Sequence, residues 1–267
     1  MADTFNNFFA SVGKSTNSKI ESLAEENNFD LNNSIFTPRS FLTSEKFIFH
    51  SVECKQVEDI VNAMPSNKAP RIVPTRVIKD CLPIILPLAT SIINASLSSS
   101  TFPGIWKTAE ITPIPKQGNH KLPNNNRPIL LLPALSKVCE RVANNQFVTY
   151  LTTKKRLTTK QNGSKKWHST ETSLLHMTDP FLKGIDNNKL TACVLLDMST
   201  AFDSVDQQIL LRKLQDVGTS TSVLQWLNSY LTNRYQVVRI HSTVSDPIPI
   251  EYGVPQGSIL GPLLFSV

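Results

Sequence analysis

Asp197 closes a short apolar run, Ala192-Cys-Val-Leu-Leu196, and is followed by Asp203 and Asp206. A run of this kind predicts a buried strand. A carboxylate at its end loses hydration, so a helix N-terminus, a hydrogen bond or a metal ion must compensate. Asp203 and Asp206 stand where a helix-like pattern begins, and their oxygens can cap its first turn. Two chemistries fit these residues alone: three helix caps, or a cation held at Asp197 with two caps behind it. An aspartyl-phosphate hydrolase also wants an Asp at a strand end, but it needs a second Asp two residues on, where this chain has Ser199.

Basic and glycine-flanked residues form the other candidates. Lys154, Lys155, Arg156, Lys160, Lys165 and Lys166 lie in a polar stretch, either a solvated loop or one that contacts phosphate. Two glycines around Pro255 and Gln256 let the backbone pass close to another surface before an apolar helix begins. The four cysteines, at 54, 81, 139 and 193, contain no C-x-x-C, so neither a zinc ribbon nor a disulfide framework is indicated.

The elements that must position these residues follow from periodicity. Val57, Ile60, Val61 and Met64 recur at helical spacing up to Pro65, and Phe47 and Phe49 alternate as in a short strand. Leu82 to Leu97 reads as a buried helix, too short and too interrupted by Pro83, Pro87 and Asn94 to span a bilayer, so no membrane is expected. Thr108 to Lys116 predicts a strand that Pro113 and Pro115 confine to a sheet edge. Arg127 to Leu132 returns beside it, a hairpin with Lys116 and Arg127 near its tip. Helices follow over Ser136–Leu151 and after a Ser169 or Thr170 cap, the latter interrupted by Pro180. Ile209–Leu214 and Val223–Leu231 are helices, and Gln236–His241 pairs with Pro247–Tyr252.

A chain of 267 residues with 40% hydrophobic content can bury one large core or two smaller ones. A net charge of +6 favours an anionic partner without requiring one. Residues 1–46 read as a peripheral leader with an Asn-rich linker at Asn27–Ser34. No signal-peptide core is present, and the reduced cysteines fit an intracellular setting.

Taken in order, Ile114-Pro-Lys116, Asn126-Arg-Pro-Ile129, His168-Ser-Thr-Glu171, Leu196-Asp-Met-Ser-Thr-Ala-Phe-Asp-Ser-Val-Asp206 and Gly253-Val-Pro-Gln-Gly-Ser-Ile-Leu-Gly261 resemble the reverse transcriptase of LINE-type (non-long-terminal-repeat) retrotransposons. The resemblance covers residues 45 to 267. It implies an α+β fold: a right-hand polymerase with fingers at 47–185 and an incomplete palm at 186–267, whose antiparallel sheet carries Asp197. It implies an RNA-directed DNA polymerase acting on an RNA template, a DNA primer and deoxynucleoside triphosphates, nuclear in location. In such chemistry a 3′-hydroxyl attacks an α-phosphate while two magnesium ions, roughly 3.5–4 Å apart, steady the attacking and leaving oxygens.

By the same resemblance Asp197 and the Met198 carbonyl are metal ligands, with Asp197 the catalytic carboxylate. Phe202 lies beneath the incoming sugar and excludes a 2′-hydroxyl; without the resemblance it reads as a core phenylalanine. Lys116 and Arg127 contact the triphosphate. Gln256 and Gly257 form the turn against the nascent base pair. Departures are equally specific. The Tyr/Phe-x-Asp-Asp hairpin is expected beyond residue 267, and Asn67–Pro74 lacks the usual Gly and Asp. Leu130 replaces a Ser, and the endonuclease of such elements is missing. A truncated copy that does not polymerise on its own is therefore expected; the alternative is a non-catalytic nucleic-acid-binding remnant.

Overall fold

The computed structural model describes residues 1–31, 45–66, 73–116, 118–158, 160–163, 165, 167–198 and 200–267. The Asn67–Pro74 turn (apart from Val73 and Pro74), Lys166, Ser199 and the end of the Asn-rich linker lie outside the described residues. Nine helices are described: Ala2–Glu26 (α1), Cys54–Ala63 (α2), Thr75–Asp80 (α3), Leu82–Ser98 (α4), Ala134–Thr153 (α5), Thr170–Asp186 (α6), Gln207–Asp216 (α7), Thr221–Leu231 (α8) and Gly261–Ser266 (α9). With a largely antiparallel sheet they give the expected α+β class.

The β-branched run Thr108–Pro115 (β1) pairs antiparallel with Asn126–Leu131 (β2), from Glu110 opposite Leu131 to Pro115 opposite Asn126. Its first half also pairs parallel with Arg234–Ile240 (β3), Thr108 to Ile111 against Tyr235 to Val238. Thr243–Val244 (β4) and Ile248–Ile250 (β5) both run antiparallel to β3. The order is β2-β1-β3-β4, with β5 also on β3. The expectation that prolines hold β1 at an edge is corrected. Pro113 and Pro115 lie past the end of the β3 pairing, and Pro113 faces Pro128, where neither needs a donor.

The main core is helical. Trp226 and Tyr230 stack at 5.8 Å, and Phe102 meets both edge-on at 5.5 and 5.1 Å. Val57, Val138, Val142, Phe147, Leu214 and Leu231 complete the same cluster. α4 buries only one face, Leu82, Ala89, Ile93 and Leu97, while Ile84 and Leu88 face solvent; the all-buried reading is corrected. The Phe47–Phe49 strand reduces to one bridge, Phe47 to Thr219.

Two larger corrections concern the candidate site. Ala192–Leu196 is not a buried strand: residues 189–198 have no regular structure, and Leu195 and Leu196 are 81% and 89% exposed. Among the described residues no strand pairs with this run. Its residues are exposed, so water can take its main-chain hydrogen bonds instead. Asp197 is therefore outside the sheet. Residues 2–26, read as peripheral, form a helix packed across the sheet. Phe5 and Phe9, one turn apart, join Ile111, Val238 and Ile240 in a second small core.

Candidate functional site

The segment from Gly253 to Leu260 is held from three sides. Its start is zipped to the loop after Asp197: Gly253 N–H donates to the Val205 carbonyl and Val254 N–H to the Phe202 carbonyl, both at 2.8 Å. The Gln207 amide donates to the Gly253 carbonyl at 3.1 Å and the Leu231 carbonyl at 3.4 Å. Gly253 has φ +84°, and a Cβ there would meet the Phe202 carbonyl oxygen at 2.7 Å, so only glycine fits.

The far end is fixed by Glu140, a fully buried carboxylate on α5. It accepts from the backbone N–H of Ile259 (2.7 Å) and Leu260 (3.3 Å), from the Tyr230 hydroxyl (3.3 Å) and from the Ser136 hydroxyl (3.0 Å). Four donors and the start of α9 offset its desolvation. Sequence reasoning missed this residue, although a charged side chain on the apolar Val138–Val142 face was the signal.

Between this turn, the sheet and α1 lies a cavity of about 140 Å³. Phe9 and Val12 of α1 form its roof, and Lys116, Asp203, Arg234 and Gln256 line it. Two polar atoms of its lining residues are buried and without a hydrogen-bond partner, Gln256 Oε1 and Arg234 Nη2. Burial pushes the Asp203 carboxyl up to about 6. The roof is pegged by Asn6, whose amide donates to the Asp246 carbonyl (2.8 Å), Ser245 Oγ (2.9 Å) and the Gln236 carbonyl (3.2 Å). The Gln236 amide donates back to Asn6 Oδ1 at 3.0 Å.

Of the residues singled out from sequence, the fold thus brings Lys116 and Gln256 to one cavity. Arg127 is exposed on β2 opposite Ile114. Lys116 N–H closes the hairpin onto the Asn125 carbonyl at 2.8 Å. Gly257, at φ +80°, rests on β2, where a Cβ would lie 3.4 Å from the Leu130 carbonyl oxygen. The Phe202 ring packs on Phe265 at 5.2 Å within the main core, and its loop presents Thr200 and Asp203 to the cavity instead. Asp206 caps α7, accepting from Gln208 and Ile209 N–H at 2.8 Å each, as expected.

Asp197 and Met198 lie on the exposed 189–198 stretch. No group of three His, Cys, Asp or Glu side chains capable of holding a metal occurs among the described residues. One exposed carboxylate does not fit a two-magnesium site, which needs several oxygen ligands around each ion.

Comparison with known proteins settles the family. The model for reverse transcriptase (RNA-dependent DNA polymerase) matches residues 114–267. The chain belongs to this reverse transcriptase family. It is 35% identical over 221 residues to "Probable RNA-directed DNA polymerase from transposon BS" of Drosophila melanogaster, covering 81% of this chain. It is 32% identical over 222 residues to "RNA-directed DNA polymerase from mobile element jockey" of the same species, again 81% of this chain. The X-element polymerase of that fly is 31% identical over 215 residues, 79% of the chain. The chain spans 24% of the length of each of these relatives. The reverse transcriptase match begins at Ile114 and takes in Lys116, Arg127, Asp197, Met198, Phe202, Gln256 and Gly257. No described helix is long and apolar enough to cross a membrane.

Proposed function

We propose that this reverse transcriptase segment supplies the fingers and the first part of the palm, divided near residue 185, of a non-LTR retrotransposon enzyme. That enzyme adds deoxynucleotides to a DNA primer on an RNA template, in the nucleus. The observation that supports this most is the convergence of Lys116, from the hairpin tip, and Gln256, from the glycine-flanked turn, on one cavity. There Lys116 neutralises phosphate charge and Gln256 orients a sugar or base edge, while Arg127 offers its planar fork from the same hairpin.

Magnesium belongs to this reading through Asp197 and the Met198 carbonyl, but the described residues do not assemble its site. The chain by itself accordingly binds an RNA–DNA hybrid without extending the primer. The exposed position of Asp197 also favours the second reading, a non-catalytic nucleic-acid-binding protein. Purified chain, a labelled hybrid, magnesium and deoxynucleoside triphosphates test both. Salt-sensitive binding without incorporation is expected. Primer extension would overturn the claim of inactivity, and absence of salt-sensitive binding would overturn both readings.

A further inference from the structure

Arg234 opens β3 and is 5% exposed, yet among the described residues it forms no ion pair. One arm is used: Nη1 donates to the Tyr230 carbonyl at 2.8 Å, and the guanidinium lies 5.1 Å from the centre of the Tyr230 ring. The other arm, Nη2, has two N–H groups and no acceptor. A second buried cation stands beside it. Lys107 is 8% exposed, and burial first and the charge of Arg234 second hold its ammonium below the usual lysine range. Among the described residues no carboxylate pairs with either of these two buried cations, which repel each other; the carboxyl that also lines the cavity is Asp203, which burial raises to about 6.

Arg234 lines the cavity under α1 that also receives Lys116 and Gln256. A cavity of about 140 Å³ has room for a phosphate group. The unpaired atoms state what the occupant must offer: anionic oxygen for Arg234 Nη2 and a hydroxyl or amino hydrogen for Gln256 Oε1. Lys116, exposed and donating to the Asn124 carbonyl at 3.5 Å, adds positive charge at the rim. A fully deprotonated anion such as sulfate supplies the first and not the second; a hydrogen phosphate, or a phosphate attached to a sugar, supplies both.

We propose that Arg234 is a phosphate-binding residue of this segment, holding with Lys116 and Gln256 the phosphate end of a nucleotide in the cavity beneath α1. The proposal deepens the polymerase reading and rests on it for the choice of a nucleotide. The phosphate belongs either to a free nucleoside triphosphate or to the backbone of a bound strand. Because the roof is pegged by Asn6, any part of the ligand larger than the cavity lies outside it or displaces α1.

The test is calorimetric titration of the full chain with pyrophosphate, with dTTP and with an oligothymidylate lacking terminal phosphate. Binding of at least one probe is expected, weakened at least tenfold in Arg234→Met, partly restored in Arg234→Lys and unchanged in Lys121→Ala, an exposed lysine of the hairpin loop. Tight binding of dTTP and pyrophosphate alone assigns the site to the free nucleotide; competition by the oligomer assigns it to the strand. Should Arg234→Met fail to fold by circular dichroism, the guanidinium resonances of Arg234 in ¹⁵N-arginine-labelled wild-type chain must shift on adding pyrophosphate. No binding by any probe, wild-type affinity in a folded Arg234→Met, or unmoved Arg234 resonances each overturns the proposal. If hybrid binding proves salt-sensitive but indifferent to Arg234, the polymerase reading stands without this site. If pyrophosphate binding needs Arg234 while hybrid binding is absent, the site stands without that reading.

Discussion

Glu140 on α5 and Ile259, which are 119 residues apart in the chain, meet through a 2.7 Å hydrogen bond from the Ile259 N–H to Glu140 Oε2. That contact fixes the height of the Gln256 turn against the helical core. Glu140→Ala leaves the two backbone N–H groups and the Tyr230 hydroxyl buried without an acceptor. It is expected to cost about 3 kcal/mol in urea unfolding and to speed hydrogen exchange at Ile259 and Leu260. Glu140→Gln, which keeps one acceptor, should lose less. Equal, small losses in both variants would show that the carboxylate does not anchor the turn.

Asn6 is the peg of α1. Replacing it with Ala takes the 3.0 Å acceptor from the Gln236 amide and one donor from each of the Asp246 and Gln236 carbonyls, at a cost of about 1–3 kcal/mol. Because α1 packs chiefly on the sheet, the loss should appear first as faster proteolytic cleavage within residues 2–26. Unchanged cleavage would mean that Phe5 and Phe9 suffice to hold the helix.

Gly253 and Gly104 make a matched pair of glycines. A Cβ at Gly253 meets main-chain atoms of Phe202 and Asp203 at 2.7–2.9 Å in a left-handed backbone, whereas one at Gly104 meets nothing within 4 Å. Gly253→Ala is expected to destabilise by about 2 kcal/mol or more, and Gly104→Ala by less than about 0.5 kcal/mol. Similar unfolding midpoints for the two variants would contradict the zipped geometry.

Asp203 links stability to pH. Its carboxyl is raised from 3.8 to about 6 by burial, so between those values the folded chain binds more protons than the unfolded one. Its contribution is fully present below pH 3.8 and is lost as pH rises through about 6. Between pH 5 and 7.5 the wild type should lose on the order of 1 kcal/mol relative to Asp203→Asn. Parallel pH profiles for the two proteins would rule this out.

Leu196 and Leu132 separate the predicted strand from the observed one. Leu196 is 89% exposed and Leu132 fully buried. Leu196→Ser should stay within about 0.5 kcal/mol of wild type, and Leu132→Ala should cost about 2–5 kcal/mol. A large loss at Leu196 would restore residues 192–196 to a buried strand.

The sequence by itself determined what short-range chemistry decides. The Asp206 cap, the Thr108–Leu131 hairpin, the helical faces of α5 and α8 and the glycine-flanked turn were all legible, because each depends on residues a few positions apart. The ordered motifs carried the reverse transcriptase family as well. Tertiary structure decided what depends on which surfaces meet. Only the folded chain shows α1 roofing the sheet, Glu140 reaching Ile259, and Arg234 buried with a free arm. Ala192–Leu196 marks the same boundary from the other side. Apolar composition favours a strand, but a strand exists only where a neighbour accepts its main-chain hydrogen bonds, and no spacing within the run records whether that neighbour is there.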